Sequence, residues 1–266
     1  MAERIRSVVV VVVLVAFVIS FWGGSEALAQ DLSTLVKQAR EMQAKFEKEV
    51  KDMTVVQEMV TTDAKMTSQT KMLKKGKKFR LEMKMQMPEE AEMPEGMGEM
   101  ETVVIYDGKD VWHISPFMGK RKLPKEEAKQ YQEENEWWDW LKEGAVVGSE
   151  KIGGRDCYVV EVEDEEEFPF SRFWLDKKSL NIVKGESDAP SGEKMVGINS
   201  DFRKIKGDLE MPHKTEVYME GRLISTTVVK SLEINKGLSD DLFDPDKVEL
   251  KGPDMQEMMR RMMEEE

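Results

Sequence analysis

Glu101-Thr-Val-Val-Ile-Tyr-Asp-Gly-Lys-Asp-Val-Trp-His-Ile-Ser-Pro-Phe117 decides the fold class of this chain. Two apolar runs, Thr102–Tyr106 and Val111–Ile114, flank Asp107-Gly108. Asp-Gly between such runs predicts an antiparallel hairpin, with a type I′ turn that needs positive φ at both central residues. Pro116 cannot donate to a ladder and ends the second strand.

The same alternation extends outward in both directions. Upstream, Met53–Val60, Lys65–Met72 and Phe79–Met87 have period two. In the last of these, Phe79, Leu81, Met83, Met85 and Met87 share one side, and Arg80, Glu82, Lys84 and Gln86 share the other. That pattern describes a half-buried strand with a soft, unbranched apolar face. Downstream, Ala145–Ile152 and Arg155–Glu163 are joined by Gly153-Gly154. Phe170–Asp176, Leu180–Glu186, Lys194–Lys206, Leu209–Met219 and Arg222–Ile234 follow at hairpin spacing, with a short strand expected near Lys120–Pro124.

Two segments break the period. Leu32, Leu35, Val36, Ala39, Met42, Phe46 and Val50 repeat at three- and four-residue steps, which predicts a helix over 31–51. Lys125 to about Lys142 is the second predicted helix, ended by Gly144. The expected architecture is mainly β with helices (α+β): a strongly curved antiparallel meander of about ten or eleven strands, a half-barrel covered by the N-terminal helix and the helical insertion.

The N-terminus has the form of a cleavable signal peptide. Arg4 and Arg6 precede an apolar run over Val8–Phe21, and Ala27-Leu28-Ala29 is a small-x-small site, so residues 1–29 are expected to be removed. The run is shorter than the ~20 residues a spanning helix needs. The mature protein is therefore expected in the periplasm and not itself membrane-spanning. The carrier domain is expected over 30–251, with 252–266 as a Met-rich acidic tail, helical by its spacing of Met255, Met258, Met259, Met262 and Met263.

Composition narrows the functional classes. The formal charge is −13, and it stays there once Glu3, Glu26, Arg4 and Arg6 are removed. An acidic chain repels phosphate backbones, so nucleic acid is not an expected partner. One cysteine, Cys157, permits no internal disulfide or CxxC site. Only two histidines exist, His113 and His213, both in predicted strands. The chain carries no phosphate-binding loop and no dinucleotide fingerprint. No enzyme activity, cofactor or metal is expected.

The motif Asp107-Gly108-Lys109, two residues, Trp112, three residues, Pro116-Phe117 resembles the central hairpin of the LolA-like, outer-membrane lipoprotein-sorting family of periplasmic carriers. Lys77-Lys78-Phe79-Arg80 and Leu242-Phe243-Asp244-Pro245 fit that pattern in the same order. So do Gly154–Val160, Trp174-Leu175-Asp176-Lys177, Asp201-Phe202-Arg203-Lys204 and Met211-Pro212-His213-Lys214. The resemblance spans nearly all of 31–250. It implies a soluble carrier or chaperone that binds lipid or lipoprotein acyl chains in an apolar cavity. Such a protein serves lipoprotein sorting or lipid transport and works with membrane-bound donor and acceptor proteins. Phe79, Leu81, Met83, Met85, Ile105, Trp112, Phe173 and Leu175 are the expected lining, and Trp137, Trp138, Trp140 and Leu141 a lid. The same residues would equally make a filled core. The alternative is an envelope sensor or protein-interaction module on the same fold with no lipid cargo.

Overall fold

The computed structural model describes residues 32–63, 66–86, 99–116, 118–132, 144–162, 170–189 and 192–249. The signal sequence, the acidic stretches at 87–98 and 163–169, the expected lid at 137–141 and the Met-rich tail lie outside them. Helix α1 spans Leu32–Glu49 and α2 spans Lys125–Gln132. The strands are β1 (Asp52–Thr61), β2 (Thr67–Lys75), β3 (Lys78–Gln86), β4 (Glu99–Tyr106), β5 (Val111–Ser115), β6 (Gly119–Lys122), β7 (Gly144–Ile152), β8 (Arg155–Val162), β9 (Arg172–Asp176), β10 (Ile182–Asp188), β11 (Lys194–Lys206), β12 (Leu209–Met219) and β13 (Arg222–Ile234).

They form one sheet in the order β6-β5-β4-β3-β2-β1-β13-β12-β11-β10-β9-β8-β7. The protein is thus mostly β, as expected, but with thirteen strands where ten or eleven were expected. Each strand lies on one of the segments named from the sequence, so the expected number was an undercount, and several strands are short. β6 has four residues, and β5 and β9 have five each. Such segments are held by their neighbours' ladders more than by any pattern of their own.

The turns follow the residues that form them. Gly153-Gly154 and Glu220-Gly221 take positive φ at both positions, as a two-residue type I′ loop requires. Asp107-Gly108 does not. There only Gly108 has positive φ, at 99°. Tyr106 pairs with Val111, so the loop has four residues rather than two. The Asp107 carboxylate replaces the missing turn geometry: its Oδ1 accepts the backbone N–H groups of Lys109 and Asp110, each at 2.8 Å.

The chain divides into two compact units, Met1–Glu49 with Asn135–Thr226 and Val50–Glu134 with Thr227–Glu266. In the first, α1 buries Leu35, Val36, Ala39 and Met42 against Val160, Val162, Phe173, Leu175, Leu180 and Ile182. These strand residues share a face because Tyr158 pairs with Leu175 and Val160 with Phe173. Burying a side chain of this size contributes roughly 1.5–3 kcal/mol. Phe170 joins the same cluster over a pair of glycines. Gly185 and Gly197 are cross-strand partners, and a Cβ on Gly185 would stand 2.5 Å from the Phe170 ring.

On the other face of this unit, Cys157, Val159, Trp174 and Val183 pack with Ile152 and Phe202. Arg155 closes that cluster. It donates to Asp176 at 3.1 Å and Glu210 at 2.6 Å, with its guanidinium 3.9 Å from the Phe202 ring centroid. Asp176 is 4% exposed and also accepts the backbone N–H groups of Lys178 and Ser179, which shapes the turn into β10.

In the second unit, the register of β2 to β5 sorts the side chains into two faces. Leu73, Arg80, Ile105 and Trp112 are successive cross-strand partners and share one. Met72, Leu81, Val104 and His113 are likewise partners and share the opposite one. The segment after β13 folds back on the first face. Its two short 3-10 turns, Asp240–Phe243 and Pro245–Lys247, are capped by Ser239 and Asp244. Phe243, Leu238, Leu242 and Val248 pack on Leu73, Val103, Ile105 and Ile114. Lys75 and Lys78 both pair with Asp240, Arg80 donates to the Leu242 carbonyl at 3.1 Å, and Lys120 pairs with Asp246.

Candidate functional site

Of the eight residues expected to line one cavity, six lie in the second unit, where they fall on two faces, and two lie in the first. Phe79, Leu81, Met83 and Met85 lie together on β3, because alternate residues of a strand face the same way. Ile105 is opposite Arg80 and Trp112 is opposite Ile105, which places both on the other face of the sheet. Phe173 and Leu175 belong to the first unit. Within the second unit the register therefore separates Ile105 and Trp112 from the β3 residues: alternation along each strand was visible in the sequence, but the phase between strands was not.

The buried members have defined partners. Ile105 is fully buried under the segment carrying Leu242 and Phe243. Phe173 and Leu175 are also fully buried, under α1. Trp112 is half-buried at the rim of the Ile105 cluster. Its indole N–H donates to Asp107 Oδ2 at 3.1 Å, so the hairpin loop fixes the ring. Burial would raise the Asp107 pKa. The hydrogen bonds from Asp110, Lys109 and Trp112 outweigh it and hold the carboxyl below its ordinary value of 3.8.

The β3 face is graded instead of sealed. Leu81 is 6% exposed, Met83 is half-buried and Met85 is 36% exposed. Phe79 is half-buried, its ring centroid 6.0 Å from Tyr106 and 6.3 Å from Tyr131 of α2. Burial pushes the Tyr131 hydroxyl up, and Glu127 adds to the effect. Across the strands, Val104 and Met72 flank Leu81, and Thr70 and Thr102 flank Met83. This apolar strip has Lys74 beside Phe79 and neutral cross-strand neighbours at Leu81 and Met83, and it contains unbranched, polarizable thioethers that adapt to an irregular apolar partner. It is the candidate site.

Polar chemistry is concentrated elsewhere. His213 is buried with Nδ1 3.1 Å from the Met211 carbonyl. Asp201, at φ 51°, occupies the position facing it, between the pairs Ser200–Lys214 and Phe202–Pro212. The Cys157 thiol is pushed up to about 11, first by burial and then by Asp176, which makes it a packing group and not a nucleophile. Among the described residues no group of three or more His, Cys, Asp or Glu side chains is placed to hold a metal ion. Arg155 and Asp176 fall within strand motifs named from the sequence, but nothing there linked them to each other or to Glu210. They lie 21 and 55 residues apart along the chain, and only the strand order brings them together.

No family profile and no curated protein sequence matches the chain. Solved structures do. A DUF1329 family protein from Desulfovibrio piger superposes with a TM-score of 0.53 at 17% identity, over 80% of this chain and 99% of that one. A putative outer membrane lipoprotein-sorting protein domain from Vibrio parahaemolyticus gives a TM-score of 0.53 at 14% identity, over 81% of this chain and 98% of that one. The chain shares its fold with both. The likeness expected from the hairpin motif is therefore shown in three dimensions, and at these identities it carries the fold alone.

Proposed function

We propose that this protein is an exported periplasmic carrier that shields acyl chains of lipid or lipoprotein against the Phe79–Leu81–Met83–Met85 face. The observation that carries this reading is the graded exposure of that face, from buried Leu81 to exposed Met85. A site that must take up and release an apolar chain needs one open end and one closed end. The lipoprotein-sorting fold supports the same reading. Each methylene withdrawn from water contributes about 0.8 kcal/mol, so a long chain gains enough from such a strip to offset the cost of ordering it. Delivery from a donor to an acceptor in the envelope, with opening by the Trp137–Leu141 segment as a lid, belongs to this proposal.

The test is organic extraction of the purified mature protein, with mass spectrometry of the extract and uptake of a fluorescent fatty acid. Co-purified lipid together with saturable uptake is expected. An empty extract with no saturable uptake overturns the carrier reading. The second reading, an interaction module without lipid cargo, is favoured by the complete burial of Ile105, Phe173 and Leu175. It requires that uptake fail while the fold remains intact.

A further inference from the structure

One end of the second unit gathers lysines from three separate loops. The β2–β3 turn reads Lys74-Lys75-Gly76-Lys77-Lys78. Antiparallel pairing sends the β4–β5 loop, with Lys109, to the same end, and a Cβ on Gly108 would stand 3.7 Å from the Lys78 side chain. The segment after β13 reaches it too: Asp52, opposite Lys75 in the ladder, accepts the backbone N–H groups of Lys236 and Gly237.

The carboxylates at this end are engaged. Asp240 takes both Lys75 and Lys78. Asp107 is held by its own loop, and Asp110 pairs with Lys122. The ammonium groups of Lys74, Lys77 and Lys236 make no ion pair among the described residues, and Lys77, Lys109 and Lys236 are exposed. Lys75 and Lys78 are direct cross-strand partners. Like charges so placed repel, and one carboxylate cannot neutralise both. Toward the other ends of β1 and β4 stand Glu58, Asp63 and Glu101, so the unit is polarised along its strands. In a chain of formal charge −13, this concentration of lysine is not a general property of the surface.

The composition of this end selects the class of partner. Protein interfaces are built on apolar or aromatic anchors and are depleted in lysine. The exposed large hydrophobics of this unit, Val60, Met85 and Met118, lie toward its other end. A membrane surface with acidic headgroups needs no anchor, because each lysine close to it contributes through charge alone. Strands β13, β1, β2, β3 and β4 lie side by side and spread the lysines over about 20 Å. We infer that this end docks the protein on an anionic lipid surface, with the lysines of the three loops set against the headgroups. The inference goes beyond the carrier reading and does not depend on it.

Co-sedimentation of the mature full-length protein with lipid vesicles tests it. Vesicles of equal parts phosphatidylglycerol and phosphatidylcholine are compared with vesicles of phosphatidylcholine alone at low salt. Binding to the first and none to the second is expected, and it should vanish at an ionic strength of about 1 M, where the Debye length is ~3 Å. The double variant Lys77→Glu with Lys236→Glu should bind at least about twentyfold more weakly, since each lysine near the surface contributes about a fivefold factor. Both positions are exposed, so this variant keeps its fold. Lys178→Glu with Lys204→Glu, at exposed positions of the first unit, makes the same change in net charge and should bind as the parent does. No binding to the anionic vesicles, equal binding to both vesicle types, or an equal loss in the two double variants overturns the inference. So does capture of polyglutamate without binding to vesicles, which would assign this end to an acidic protein. Both vesicle types present the same acyl chains, so lipid uptake by the apolar strip would register equally with each. A failure here therefore leaves fatty-acid uptake in solution standing, and the reverse also holds.

Discussion

Strands β9 and β3 present similar alternating apolar residues and use them in opposite ways. Phe173 and Leu175 on β9 are wholly buried, matched to the Leu35, Val36, Ala39 and Met42 stripe of α1. On β3, burial declines along the strand from Leu81 to Met85. The residue types already hint at this. β9 carries Phe, Trp and Leu, which fill a fixed space. β3 carries Met83 and Met85, whose flexible thioethers suit a surface that must be recovered after each use. Where a helix is provided to complete the packing, the face is a core. Where the strand runs out into exposure, the face is a candidate for binding.

The sharpest way to break this contrast is Phe173→Ala. A fully buried aromatic truncated in a filled cluster leaves a cavity, and stability should fall by about 3–5 kcal/mol in denaturant unfolding. Fatty-acid uptake per folded molecule should stay unchanged. If uptake is lost while most of the protein remains folded, Phe173 belongs to the binding surface and the division between the strands is wrong.

Gly185→Ala probes the same core from its backbone. The new Cβ would meet the Phe170 ring at 2.5 Å, and the ring sits over the paired Gly185 and Gly197. Overpacking of this kind costs about 1–3 kcal/mol. Combining it with Phe170→Ala should recover part of the loss, so the two changes should be non-additive in a double-mutant cycle. Strict additivity would show that the ring does not depend on the glycine slot.

Much of this was legible in the sequence, and the reasons for what was not are physical. The α1 stripe, the two-glycine turn at 153–154 and the alternation of β3 are local periodicities, and each is present in the fold. The partition of Ile105 and Trp112 from Leu81 is a matter of register. A strand's own alternation sets which residues share a face, but a shift of one position against its neighbour exchanges the faces. Here the pairing of β3 with β4 sets that phase, with Leu81 opposite Val104 and Arg80 opposite Ile105, and no local pattern carries it. Arg155, Asp176 and Glu210 were hidden for a different reason: nothing local marks three charged residues on three strands as one network.

The hairpin loop offers a smaller test. Asp107 holds its charged form through the N–H groups of Lys109, Asp110 and Trp112. Its folded pKa lies below the ordinary 3.8, so its contribution is fully present above that value and is lost as pH falls through the depressed one. Asp107→Asn removes the charge and one acceptor oxygen. It should cost about 1 kcal/mol near neutral pH, and the gap to the parent should close in acid. A gap that persists or grows in acid would mean that the carboxylate is not what orders the loop or fixes Trp112.

The smallest expected change in stability is the most informative about function. Met85 is 36% exposed at the open end of the β3 face. Replacing it with Glu removes little buried area, and the fold should keep its stability within about 0.5 kcal/mol, as for surface positions generally. An acyl chain meets the new side chain differently. To lie on the strip it must either desolvate the carboxylate or give up contact with the last two residues of the face, and both weaken binding. Saturable fatty-acid uptake should therefore drop while the unfolding midpoint barely moves, the reverse of the Phe173→Ala result. Glu also differs from Ala at this site, because Met85→Ala only thins the surface and should weaken uptake less. If Met85→Glu leaves uptake intact, the graded face is merely an exposed strand end, and any apolar ligand must bind elsewhere on the molecule.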